Sequence, residues 1–187
     1  MIYKAFNLIK NLIFPKQCFN CKAWGNFLCQ SCSIMIPIVK HQRCIVCQKP
    51  SLFGITHPKC KTKYLPDRLI TIYNYQQPVI QQMINTGKLA MVPEIFSDLA
   101  FVSINRIEFN SKILSKFVLC TIPMSIYKER FRGFNQSAVV AKIFSRKSNL
   151  PIDNLLAKNS FVKQQKKLDK QSRQENSKEA FRLLNNQ

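Results

Sequence analysis

Seven of the eight cysteines fall between residues 18 and 60, and their spacing constrains this chain more than any other feature. Cys18-x2-Cys21-x7-Cys29-x2-Cys32 supplies four soft thiolates as two knuckles. A two-residue gap lets both sulfurs of a knuckle reach one ion at about 2.3 Å. Cys44-x2-Cys47-x9-His57-x2-Cys60 repeats the arrangement with one imidazole replacing a thiolate. Four-ligand sites of this kind leave no coordination position for a substrate, so the spacing predicts two structural zinc ions that fold the module. The spacing allows two pairings: consecutive knuckles share an ion, or knuckles one and three share one and two and four the other. His41, three residues before Cys44, is a substitute ligand or simply an exposed polar residue. Cys120 sits in an apolar run and reads as a packed thiol.

The metal module is also where the charge is least balanced. The 187 residues hold 29 Lys+Arg against 9 Asp+Glu, a formal +20, and the first acid is Asp67. Seven metal-bound thiolates around two divalent ions would lower that only to about +17, so a polyanion or an acidic membrane surface stays a natural partner. Phe19, Trp24 and Phe27 lie among Lys16, Lys22, Lys40 and Arg43. Such a mixture can stack bases and neutralise phosphates on a single strand, although small zinc modules also use aromatics as their core. At 46% hydrophobic residues the chain is globular rather than disordered. No apolar run approaches the roughly 20 residues that span a bilayer. The segment from Met1 to Phe14 is cut by Lys4, Asn7, Lys10 and Asn11 and is followed by no small-residue cleavage site. The expectation is a cytoplasmic protein without a transmembrane segment, whose cysteines hold metal rather than disulfides. Ile2, Phe6, Ile9 and Ile13 fall at helical spacing, which predicts a helix packed on the module.

Composition divides the chain into residues 1–63, the Cys-rich module with its N-terminal helix, and residues 64–187, an α/β region with a polar basic tail at 158–182. Arg68 to Tyr75 is β-branched and aromatic and reads as a strand; Pro78 opens a helix from Val79 to Thr86 that Gly87 stops. Pro93 opens a second helix, Phe117 to Ile122 reads as a strand buried on both faces, and a further helix runs from about Asn135 to Arg146. This alternation implies a doubly wound parallel sheet whose ligands lie beyond the strand carboxyl ends, in the loop after Ile122. That segment carries Lys128, Arg130 and Arg132 with Gly133 just before a helix. Arginine forks, helix amides and a glycine make an anion site there, the alternative being an ordinary surface turn. In the tail, Lys163, Lys166, Lys170 and Arg173 would line one face of a helix and contact nucleic acid. Leu168 is the one large apolar residue between Val162 and Phe181, so the segment holds itself together poorly.

Arg130-x-Arg132-Gly133-Phe134-Asn135-Gln136, preceded by Ile122-Pro123 and by paired zinc knuckles, resembles the ComF family of competence-associated, phosphoribosyltransferase-like proteins. Lys158, Gln165, Leu168, Arg173, Asn176 and Ala180-Phe181 extend the likeness into the tail. It departs from the family at Lys158, where arginine is usual, at Val162 for threonine, and at His57 for cysteine. The resemblance implies a double zinc ribbon joined to a type I phosphoribosyltransferase-like α/β fold that handles single-stranded DNA during natural transformation, alongside other competence or DNA-processing proteins. By similarity Arg132 and Gly133 face a pyrophosphate and the tail closes over it. The family's phosphate loop, two adjacent acids followed by Thr-Thr-Gly, should lie downstream of Phe181, whereas this sequence stops at Gln187 and has no adjacent acid pair. A truncated or degenerate member with an incomplete sheet and no transferase activity is therefore expected, magnesium belonging only to a complete member. Two alternatives stand beside it: a phosphoribosyltransferase whose loop lies outside these residues, and a zinc-ribbon adaptor that docks on another protein.

Overall fold

The computed structural model describes residues 16–106, 117–159 and 180–184. The helix expected at residues 2–13 and the basic cluster Lys163, Lys166, Lys170 and Arg173 lie outside them. The fold is a mixture of helix and sheet in two compact units, one through Ile84 and the other from Asn85.

The first unit is built from two copies of one knuckle hairpin. In the first copy Cys18 N–H donates to Ala23 O at 2.8 Å and Lys22 N–H to Cys18 O at 3.0 Å. In the second, Cys44 N–H donates to Lys49 O and Gln48 N–H to Cys44 O, both at 3.0 Å. Each hairpin closes on an isolated bridge, Gln17 with Trp24 and Arg43 with Pro50. Lys22 and Gln48, equivalent in the two copies, both adopt positive φ, 64° and 57°. The second knuckle of each set starts a helical turn: helix α1, Gln30–Met35, begins just after Cys29, and a 3-10 turn spans Pro58–Cys60.

The stretch from Arg68 to Tyr75 is not the expected strand. Its polar backbone is used by the module instead: Thr71 N–H donates to Gln42 Oε1, and Gln42 Nε2 donates back to Thr71 O, both at 2.9 Å. Val39 N–H reaches Ile72 O, and Arg68 keeps one bridge, to Ile55. With these groups taken up locally, no sheet ladder forms.

Helix α2, Pro78–Leu89, opens on its proline as expected but runs through Gly87 instead of stopping there. Packing explains the glycine, because a Cβ at this position would lie 2.7 Å from the Phe96 ring. Helix α3, Pro93–Ile104, places Ile95, Phe96, Ala100 and Ile104 in the core. Strand β1, Leu119–Cys120, pairs in parallel with β2, Ile152–Asp153, in the register Leu119 to Ile152. The connection carries helices α4, Ile126–Arg132, and α5, Gln136–Ser148, and α5 packs on α3 and on both strands. The expected strand from Phe117 to Ile122 is thus only two residues long and half-buried; Phe117, Val118 and Ile122 are exposed. Among the described residues β1 has one strand neighbour, β2. An antiparallel pair, β3 at Leu156–Lys158 and β4 at Phe181–Leu183, brings Lys158 over the Phe181 ring at 5.9 Å.

Candidate metal centres

Consecutive knuckles converge. The sulfurs of Cys18, Cys21, Cys29 and Cys32 lie within 4.8 Å of one another, and so do the ligand atoms of Cys44, Cys47, His57 and Cys60. Four sulfurs about 2.3 Å from a common ion would sit about 3.8 Å apart. Cys21 Sγ and Cys29 Sγ are separated by 3.6 Å, close to that edge and far beyond a disulfide bond. Cys47 Sγ lies 3.3 Å from His57 Nδ1. The donor sets fit a divalent metal with a taste for sulfur in tetrahedral geometry.

The surroundings orient these donors. His57 turns Nδ1 toward the cysteines while Nε2 lies 3.1 Å from Pro50 O. That contact fixes the tautomer, since Nε2 carries the hydrogen it donates and Nδ1 keeps its lone pair for an ion. Asn20 Nδ2 donates to Cys32 Sγ at 3.3 Å. Burial pushes the Cys18 thiol up, but amides of Cys29, Cys21 and Asn20 outweigh it and bring it down to about 6. Amides of Cys47 and His57, opposed by burial, likewise hold Cys44 at about 6. Asn20 favours the Cys32 thiolate, yet burial and the sulfurs of Cys21, Cys29 and Cys18 together raise that thiol to about 12. Burial with Cys47 and Cys44 raises Cys60 to about 11. In each cluster one thiol is held down and another is pushed up by the sulfurs beside it, so ionised sulfurs oppose one another there, a conflict that a dication removes.

The other cysteine and histidine take no part. Cys120 is half-buried in β1, and His41 is exposed outside both clusters. Asn20 and the Pro50 carbonyl are site components that the sequence reading missed. A polar residue between the cysteines of a knuckle is the one signal that could have marked Asn20.

The arginine-glycine segment is organised differently from expectation. Where a loop was anticipated stands helix α4, which Ser125 caps and Gly133, at φ 78°, terminates. The Gly133 amide donates to Glu129 O at 2.7 Å, and Arg132 donates to Gln136 Oε1 at 2.8 Å. Asn135 caps α5 by accepting from Ser137 N–H and donates to Ile122 O at 3.0 Å. The Gly133 amide and the amide of Ser137 are thus spent on ending one helix and starting the next. Arg130 is exposed on α4. Of the three aromatics of the first knuckles, Phe19 and Phe27 pack together at 6.1 Å with Lys16 over Phe27, leaving Trp24 66% exposed.

No helix among the described residues is long and apolar enough to cross a membrane. Compared with protein-family models, curated proteins and solved structures, the chain matches none of them.

Proposed function

We propose that this chain is a zinc-stabilised, ComF-like protein of the cytoplasm that handles single-stranded DNA. One observation carries the reading. Between residues 16 and 84 nine Lys/Arg accompany a single carboxylate, Asp67, and Lys61 pairs with it. The remaining cations have no acid in the unit to answer them, and two dications on seven thiolates offset only part of the excess. Phosphates are the anions that single strands supply in rows, and Trp24 offers an exposed face for a base. In this reading the second unit is type I phosphoribosyltransferase-like, Arg130 and Arg132 offer their guanidinium groups to a phosphate, and Lys163, Lys166, Lys170 and Arg173 add contacts to the strand's phosphates.

The test is a titration of the full, zinc-loaded chain with labelled single-stranded DNA over a series of salt concentrations. Each neutralised phosphate should contribute about −0.7 to the slope of log K against log salt. Binding that ignores ionic strength would remove the reading. A second one, the zinc-ribbon adaptor, is favoured by α4, where Tyr127 and Phe131 are 80% and 69% exposed four residues apart. It expects association with a protein partner that tolerates salt and is lost in Phe131→Ala.

A further inference from the structure

The segment joining the two knuckles of the second cluster is held at both ends. Ser51 N–H donates to Gln42 O at 2.9 Å, Leu69 N–H to Gly54 O at 3.0 Å, and Thr56 N–H to Asp67 O at 2.9 Å. Gly54 sits at φ 71° with the backbone of Leu69 so near that a Cβ would collide with its carbonyl. Between these fixed points Phe53 adopts φ 50°, ψ 27°, the left-handed region that bulky residues avoid. Its side chain is 64% exposed, and that of Leu52 is 73% exposed. A residue in this conformation strains the backbone, and a solvent-facing ring recovers little of that through burial. The fold would be better served by glycine or asparagine at this position.

Beside the ring is a groove of about 390 Å³ walled by Lys40, His41, Pro50, Leu52 and Phe53. Its floor is stiff, because Arg43 and Pro50 bridge the knuckle hairpin and Gln42 is bonded to Val39 and Thr71. The groove therefore combines an aromatic face with one cation, Lys40, in a unit whose one carboxylate is occupied by Lys61. An acidic polymer that also exposes flat apolar faces matches both halves of it. Single-stranded nucleic acid has this character, whereas a duplex keeps its base faces stacked inside.

We propose that this groove binds a single-stranded nucleic acid, with Phe53 stacking on a base and Lys40 neutralising a neighbouring phosphate. The inference rests on the nucleic-acid reading above and adds a place and a residue to it.

Phe53→Gly separates binding from folding, since glycine adopts φ 50° without strain while deleting the stacking face. Affinity of the zinc-loaded full chain for fluorescein-labelled oligo(dT), read by anisotropy, should fall about five- to hundredfold in this variant. Its metal content and melting temperature should equal or exceed those of the parent, and its salt slope should not change. Lys40→Gln should instead flatten the slope by about 0.7. Phe53→Tyr should restore binding. If Phe53→Gly loses metal, Phe53→Asn carries the same comparison, asparagine being the other residue at home at positive φ. A parent that binds oligo(dT) beside a metal-loaded Phe53→Gly that binds equally well overturns the groove and leaves the nucleic-acid reading standing. A parent that fails to bind oligo(dT) at low salt overturns both. Association of the groove with a protein, abolished by Phe53→Gly while oligo(dT) binding persists, gives it to a different partner and also overturns the proposal.

Discussion

Removing the metals should unfold the first unit and spare the second. Apart from metal ligands, the buried apolar side chains between residues 16 and 84 are Leu28, Ile36, Ile80 and Met83. At about 1.5–3 kcal/mol for each fully buried side chain, the four together contribute about 6–12 kcal/mol. A single structural zinc contributes about 10–16 kcal/mol of apparent binding free energy at neutral pH. Two such ions, at about 20–32 kcal/mol together, exceed that core by about two- to fivefold, so the unit loses most of its stabilisation once they leave. The second unit draws on a different source, the packing of α3 against α5 with Ile95, Phe96, Ala100 and Ile104 inside.

Hydrogen exchange before and after a strong chelator reads this residue by residue. The amides of Cys18, Lys22, Cys44 and Gln48, which close the knuckle hairpins, should lose protection, while those within α3 and α5 keep theirs. Metal analysis should find close to two ions per chain beforehand. Complete removal of both ions with the hairpin amides still protected would refute the argument, because some other interaction would then be holding the module. Loss of protection throughout α3 and α5 would refute its second half.

Metal affinity should fall as pH falls, and more steeply below about pH 6. Near neutrality Cys32 and Cys60 hold protons that an ion must displace, while Cys18 and Cys44, lowered to about 6, are already thiolates; below that value they too must give up protons. Competition with a chromophoric chelator at several pH values checks the sign, and tighter binding in acid would contradict it. Gly87→Ala should destabilise the second unit by about 1 kcal/mol in thermal melts, since crowding the buried Phe96 ring outweighs the gain in helix propensity. Asn135→Ala should lower stability by about 1–2 kcal/mol, because it removes the cap of α5 and the bond to Ile122 O together. Urea unfolding monitored by circular dichroism measures that loss.

The metal clusters were legible because the chemistry is local. Eight ligands at fixed spacings limit the geometry, and the only freedom left, which knuckles pair, is resolved by the hairpins and the turns that follow them. Helices opened by Pro78 and Pro93 were equally plain, since proline marks a first turn by its own covalent structure. What stayed hidden depends on distant partners. Gly87 looks like a stop signal until Phe96 is seen against it, and Arg68 to Tyr75 looks like a strand until Gln42 and Val39 claim its backbone. Phe53 gave no sign, because neither its side chain nor its neighbours announce a left-handed backbone.

His57 offers a way to test whether the second cluster is tuned for an anionic partner. Four thiolates around a dication carry a charge of −2, whereas three thiolates with a neutral imidazole carry −1. The second cluster therefore repels phosphate less than the first, and Lys49 and Lys59 line the same depression as His57. Replacing His57 by cysteine keeps four donors and adds one negative charge. At a separation of about 10 Å in water one charge changes the interaction with a phosphate by about 0.4 kcal/mol, roughly a factor of two, and salt at about 0.1 M screens much of it. His57→Cys should thus retain two metals yet bind oligo(dT) about twofold more weakly at low salt, the difference shrinking as salt is raised. A fully loaded variant that binds as tightly as the parent at every salt concentration would mean that the strand does not feel this cluster. The imidazole would then serve only as a ligand held by the Pro50 carbonyl.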